Sequence, residues 1–183
     1  MKKKILLIAG LCLGSTGPAI AEGFVYHVGS GYYASFLGTP LRVSSDSGEK
    51  NASDLKGMPL GLSQSVGVGY GFGSEKKFSV GGEGVAGWVR SLNPSGIDVL
   101  SLQVRVFGRY VPFKEFFNVT GFAGFKSNLP LSKRKIPSGA NHPVFGIRLD
   151  SAYFFYLEYA VVLRGNFSGV YSHDIAIGFM SSW

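Results

Sequence analysis

Ser172-His173-Asp174 sets a hydroxyl, an imidazole and a carboxylate in one row, the three groups of a hydrolytic triad. A triad needs its base within hydrogen-bond reach of both nucleophile and acid. The row lies in an alternating segment, with Tyr171, Ile175, Ile177, Phe179 and Trp183 on one side and Ser172, Asp174, Ala176, Gly178 and Ser182 on the other. Neighbours in a strand point to opposite faces, so His173 is turned away from Ser172 and Asp174. His173 then reads as an amphipathic residue at an interface. His27 and His142 stand alone. No Cys, His pair at ligand spacing or acidic cluster joins them, so no metal site is expected. Gly67, Gly69, Gly71 and Gly73 recur at strict period two, which is not the run that opens a dinucleotide-binding helix. No catalytic residue, cofactor or metal is expected.

What remains is charge. Glu83, Arg105, Arg109, Arg148 and Glu158 each fall on the face opposite the apolar one in their segments. Inside a low-dielectric tube these charges must pair, because an unpaired one is very costly. Glu83 and Arg105 are expected to meet across adjacent strands. Such a polar network is either a structural plug or a gate. A second set, Lys126, Lys133, Arg134 and Lys135, lies on or beside a long connection with no acid between Lys126 and Leu149. It reads as a basic surface loop, solvated or resting on acidic lipid, or as a docking site for an acidic polysaccharide or host protein.

The elements that carry these residues are strands. In residues 60–73, Leu60, Leu62, Gln64, Val66, Val68, Tyr70 and Phe72 alternate with Gly and Ser alone, and Gln64 is the one exception to an apolar face. Period two marks a strand with one greasy and one small, polar face. A tilted strand crosses a membrane with roughly 9–11 residues, and this run is long enough. Seven more segments alternate in the same way, near 24–36, 78–88, 100–110, 117–126, 144–150, 155–164 and 171–183. In the third, a bulge at Gly81-Gly82 could shift the register. The Gly and Ser wall of the second segment makes room for Arg105, Arg109, Phe107 or Tyr156, or leaves a narrow conduit.

Connections alternate too. Those near Ser74–Lys77, Pro112–Glu115 and Asp150–Ala152 are tight. Those at Gly38–Pro59, Ser91–Asp98 and Ser127–His142 are long. Outer-membrane barrels have short periplasmic turns and longer outside loops. In lipid an open sheet edge is forbidden, so the strands must close. The expectation is an all-β, closed, eight-stranded antiparallel transmembrane barrel of up-and-down topology. A soluble sandwich would bury its apolar faces against each other instead.

Residues 1–21 read as a cleaved signal peptide: Lys2, Lys3 and Lys4, then Ile5 to Leu13, then Ala19-Ile20-Ala21. Cys12, the only cysteine, leaves with it; Leu11 stands before it where a lipoprotein signal has a small residue. The barrel domain is then 22–183, with 15 Lys and Arg against 11 Asp and Glu, a net charge of +4. That mild charge and export both argue against nucleic acid.

The chain resembles the small eight-stranded outer-membrane barrels of didermal bacteria, the OmpA-transmembrane, OmpX and OmpW class. Its end carries the specific point of likeness: Trp183, with Ile175, Ile177 and Phe179 on the same face and Gly178 nearby. The resemblance implies that these residues form the signal read by the outer-membrane assembly machinery. Ser181 departs from the pattern, which prefers an apolar or aromatic residue there. It also implies contact with outer-membrane lipid and a non-enzymatic envelope, adhesion or host-contact role. The alternatives are a narrow passive, porin-like channel and, third, a lipid-A-modifying enzyme.

Overall fold

The computed structural model describes residues 23–37, 60–72, 77–90, 98–113, 116–131, 141–151, 154–165, 167 and 169–182. The expected signal segment, Lys133, Arg134, Lys135 and Trp183 lie outside the described residues. Eight strands form: β1 (Phe24–Leu37), β2 (Leu60–Phe72), β3 (Phe78–Arg90), β4 (Asp98–Phe113), β5 (Phe117–Pro130), β6 (His142–Ser151), β7 (Phe155–Leu163) and β8 (Val170–Ser182). Each pairs antiparallel with its sequence neighbours, and β8 returns to β1, closing the barrel. No described helix is long and apolar enough to cross a membrane.

The register fixes the shape. His27 pairs with Gly67, Gly67 with Glu83, Glu83 with Arg105, and the row continues through Gly124, Val144, Val162 and Ser172. It returns to β1 at Leu37, ten residues on from 27 to 37. A closed sheet with that stagger has strongly tilted strands, about 35–45° from the axis, and an interior that side chains just fill. β3 pairs without interruption through Gly81 and Gly82 on both sides, so no bulge shifts the register there.

Alternation sets inside from outside. Along β2 every second residue from Ser63 to Gly71 is buried, and the residues between are exposed. The most exposed aliphatic residues lie mid-strand on the outer wall: Val104 at 74%, Val106 at 66% and Val66 at 63%. Arg148 and Glu83, at 1% and 3%, lie inside. A soluble barrel reverses that order, so this wall faces lipid.

Glycines on the inner wall act as sockets. A Cβ on Gly67 would lie 2.1 Å from the His27 ring, one on Gly81 2.7 Å from the Phe107 ring, and one on Gly146 2.3 Å from the Phe122 ring. The Gly and Ser wall makes room for inward side chains, His27 among them; its lumen-facing position on β1 was expected, though not its seat against Gly67. Tyr171 also departs from expectation. The β7–β8 register shifts next to it, between Val162 and Leu163. The shift takes its ring off the outer wall: it packs against the interior cluster of Phe107, Phe122, Val144, Ala160 and Val162 and stacks on His142 with centroids 4.1 Å apart.

Candidate functional site: two polar layers in the lumen

The inward positions of β1, β3, β4, β6 and β7 build a lattice of ion pairs toward the end with the short connections. Glu83 is its hub. Its Oε1 accepts from Arg148 Nη1 at 2.6 Å and lies 2.8 Å from His27 Nε2. Its Oε2 is 3.6 Å from Arg105 Nη1, an ionic contact too long for a hydrogen bond. Arg105 Nη2 donates to Glu158 Oε1 at 2.8 Å, and Arg148 Nη1 lies 3.6 Å from Glu158 Oε2. Arg148 Nε donates to Asp150 Oδ1 at 3.0 Å, and Arg109 Nε is 3.7 Å from Asp150 Oδ2.

Neutral groups complete the layer. Gln103 Oε1 accepts from Arg105 Nε and Nη2 at 2.9 and 2.7 Å. The Arg105 guanidinium sits 4.0 Å from the centre of the Phe122 ring, and Phe107 meets the His27 ring edge-on at 5.1 Å. Planar guanidinium groups suit such a lattice because each presents several donors in a fixed fork.

A second layer lies nearer the long-connection end. Lys126 Nζ donates to Asp174 Oδ2 at 2.7 Å. Tyr33 donates its hydroxyl to the same oxygen. Ser35 and Ser172 donate to Oδ1 at 2.7 and 2.9 Å. Lys126 also lies over the Tyr33 ring at 5.1 Å. This corrects the assignment of Lys126 to a basic surface loop. It belongs to β5, is 2% exposed and points into the lumen, because it keeps the parity of Thr120 and Phe122. A cavity of about 10 Å³, room for about one water, lies between the layers against Tyr33, Ser63, Ser65, Gln103, Arg105 and Glu158.

The structure thus brings Glu83, Arg105, Arg109, Arg148 and Glu158 into one layer and puts Lys126 in another. Ile175, Ile177 and Phe179 line the outer face of β8, with Gly178 buried between them. Ser172 and Asp174 face the lumen; His173 is on the opposite side, where Tyr159 Oη is 2.7 Å from its Nδ1. No cluster of metal-ligating side chains occurs among the described residues. The sequence analysis missed His27, Gln103, Asp150 and Asp174 as members of the layers. His27 shares the parity of Tyr33, Gln103 of Arg105, Asp150 of Arg148 and Asp174 of Ser172, and that parity was the available signal.

Together, a closed barrel, an apolar outer wall and an ion-paired interior define a small transmembrane β-barrel. No family model matches the chain, and no curated protein does. Among solved structures it is similar to Ail, the attachment invasion locus protein of Yersinia pestis, at 16% identity over 88% of this chain and 100% of that one, with a TM-score of 0.48. Ail has also been solved with the heparin analogue sucrose octasulfate. The outer membrane protein OprG of Pseudomonas aeruginosa is similar at 13% identity, 88% and 97% coverage and a TM-score of 0.46. A COG4313 outer membrane channel of Pseudomonas putida F1 gives 10%, 92% and 98%, and 0.43. The likeness is one of fold.

Proposed function

We propose that this chain is a surface barrel of the outer membrane of a didermal bacterium, with its long connections outside the cell and a non-enzymatic role in envelope integrity, adhesion or host contact. One observation carries the reading: among the described residues the inward charges balance and side chains pack between them. Arg105, Arg109, Lys126 and Arg148 face Glu83, Asp150, Glu158 and Asp174, four cations against four anions. One cavity between the two layers, against Tyr33, Ser65, Arg105 and Glu158, has about 10 Å³. Packing of this kind among the described residues favours a plug over a conduit and turns attention to the ends and the outer wall. The orientation rests on the strand spacing: 38–59, 91–97, 131–141 and 164–169 separate strands at one end, and 73–77, 114–116 and 152–154 at the other.

Outer-membrane lipid is the partner of the wall. The assembly machinery is the proposed reader of Ile175, Ile177, Gly178, Phe179 and Trp183. Lys133, Arg134 and Lys135 remain the basic stretch of a long connection, and an acidic polysaccharide or host protein is the partner such a stretch fits. Enzymatic turnover is disfavoured because the only row of triad-type residues is split between the two faces.

The test is conductance of the refolded barrel in a planar bilayer. The expected result is a silent wild type. Steady unitary conductance in the wild type would overturn the plug and move the assignment to a narrow passive channel.

A further inference from the structure

Away from the strand ends the described outer wall is apolar except in one place. Among the described outward positions four or more residues from either strand end, two carry side chains neither apolar nor aromatic: Ser30 on β1 and Gln64 on β2. They are register partners, so they sit side by side. Ser30 lies six residues from Phe24 and six from Phe36, the aromatic residues near the two ends of β1's outer face. Six residues at about 3.3 Å rise, foreshortened by a tilt near 40°, is about 15 Å. The pair therefore lies near the middle of the hydrocarbon, out of reach of water at either surface.

The adjoining wall is unusually low. Gln64 pairs with Ala86, and the outward positions below it on β3 are Gly84 and Gly82. A Cβ on Gly84 would meet nothing within 4 Å, and one on Gly82 nothing nearer than 3.9 Å. Val66 stands on one side of this trough and Val104 and Val106 on the other, paired across from the same glycines. They are the most exposed aliphatic residues on the wall. A polar pair at the membrane midplane thus opens beside a strip where another backbone can come close.

We propose that this face joins two copies of the chain about a two-fold axis near Gln64. The two Gln64 amides bond to each other, Ser30 adds a further donor and acceptor, and the wall of each copy packs along the Gly82–Ala86 trough of the other. Lipid tails offer no hydrogen bond, so an unpartnered amide there loses what water gave it. A primary amide carries donor and acceptor on one group. A two-fold mate therefore satisfies both at once, and only a second copy is certain to bring the matching group to the matching height. Small residues beside interfacial polar groups are what allow close packing in a membrane, where burial of apolar surface supplies no drive.

The experiment uses the processed full chain, refolded, with sedimentation equilibrium in density-matched detergent and crosslinking in lipid. The wild type is expected to show a monomer–dimer equilibrium. Gln64→Leu should weaken it at least tenfold, and Gly84→Phe, which fills the trough from outside, should abolish it. Heat-shifted gel migration checks that each variant is folded; should Gly84→Phe fail there, Ser30→Ala serves as the second variant, with an expected severalfold loss. In the processed chain, from which Cys12 has gone with the signal segment, Gln64→Cys should crosslink to a dimer while Ile147→Cys, on the far wall, should not. A monomeric wild type at every protein-to-lipid ratio, undiminished association of Gln64→Leu, or equal crosslinking at the two positions would overturn the proposal.

Discussion

The two polar layers of the lumen hold their charges by different means. In the layer near the short connections each carboxylate faces more than one cation. Glu83 meets Arg148 and Arg105 as well as His27, Glu158 meets Arg105 and Arg148, and Asp150 meets Arg148 and Arg109. In the layer near the long connections one carboxylate meets one cation, and neutral hydroxyls of Tyr33, Ser35 and Ser172 take up the rest of Asp174. The first layer is a lattice in which removing any charge strands several others. The second is a pair buffered by groups that carry no charge. Buried charge can be tolerated by either route, but the two should fail very differently.

The largest effect is expected at the hub. Glu83→Gln keeps the size and most of the hydrogen bonds but leaves Arg105 and Arg148 facing one fewer anion. Breaking one side of a buried pair costs about 3–5 kcal/mol. Urea titration of the refolded barrel should show a loss in that range. A loss under about 1 kcal/mol would mean that the lattice is hydrated well enough to screen itself, which removes the contrast between the layers.

Lys126→Met is expected to cost less, about 1–3 kcal/mol, the scale of one hydrogen bond to a charged group. Asp174 keeps its three hydroxyl donors, and methionine fills the space of the lysine stem. The same titration compares the two variants directly. Should Lys126→Met prove as damaging as Glu83→Gln, the hydroxyls are not solvating Asp174, and the second layer works as the first does.

The barrel itself was legible because lipid and lumen make opposite demands on successive residues. That contrast is written at period two through every strand, as in Leu60 to Phe72. Even the odd residue, Gln64, stands out against it. Parity also put Arg105, Arg148 and Glu158 inside. Partner choice was not legible. Glu83 and Arg105 are register partners and were expected to meet, yet the shorter contact to Glu83 comes from Arg148 on β6, across the lumen. Sequence spacing carries no information about how far a guanidinium reaches over a barrel. Lys126 was misplaced because it stands seven residues before the basic run at Lys133, although its own parity pointed inward. His27 was taken to be isolated because its neighbour Glu83 is 56 residues away along the chain.

The smallest effect separates register from reach. A double-mutant cycle on Glu83 and Arg105 and another on Glu83 and Arg148 remove the same carboxylate with two different cations. Residues in contact couple by 0.5–3 kcal/mol in such cycles. Arg148 touches Glu83 at 2.6 Å through a hydrogen bond, whereas Arg105 is 3.6 Å away with its Nη1 making none. Arg105 also keeps Glu158 and Gln103 when Glu83 is neutralised. The Arg148 cycle should therefore show the larger coupling, by about 1 kcal/mol, although Arg105 is the register neighbour. Equal couplings would mean that the lattice behaves as one delocalised unit. A larger coupling for Arg105 would mean that adjacency along the sheet, and not reach across the lumen, decides which charges hold each other.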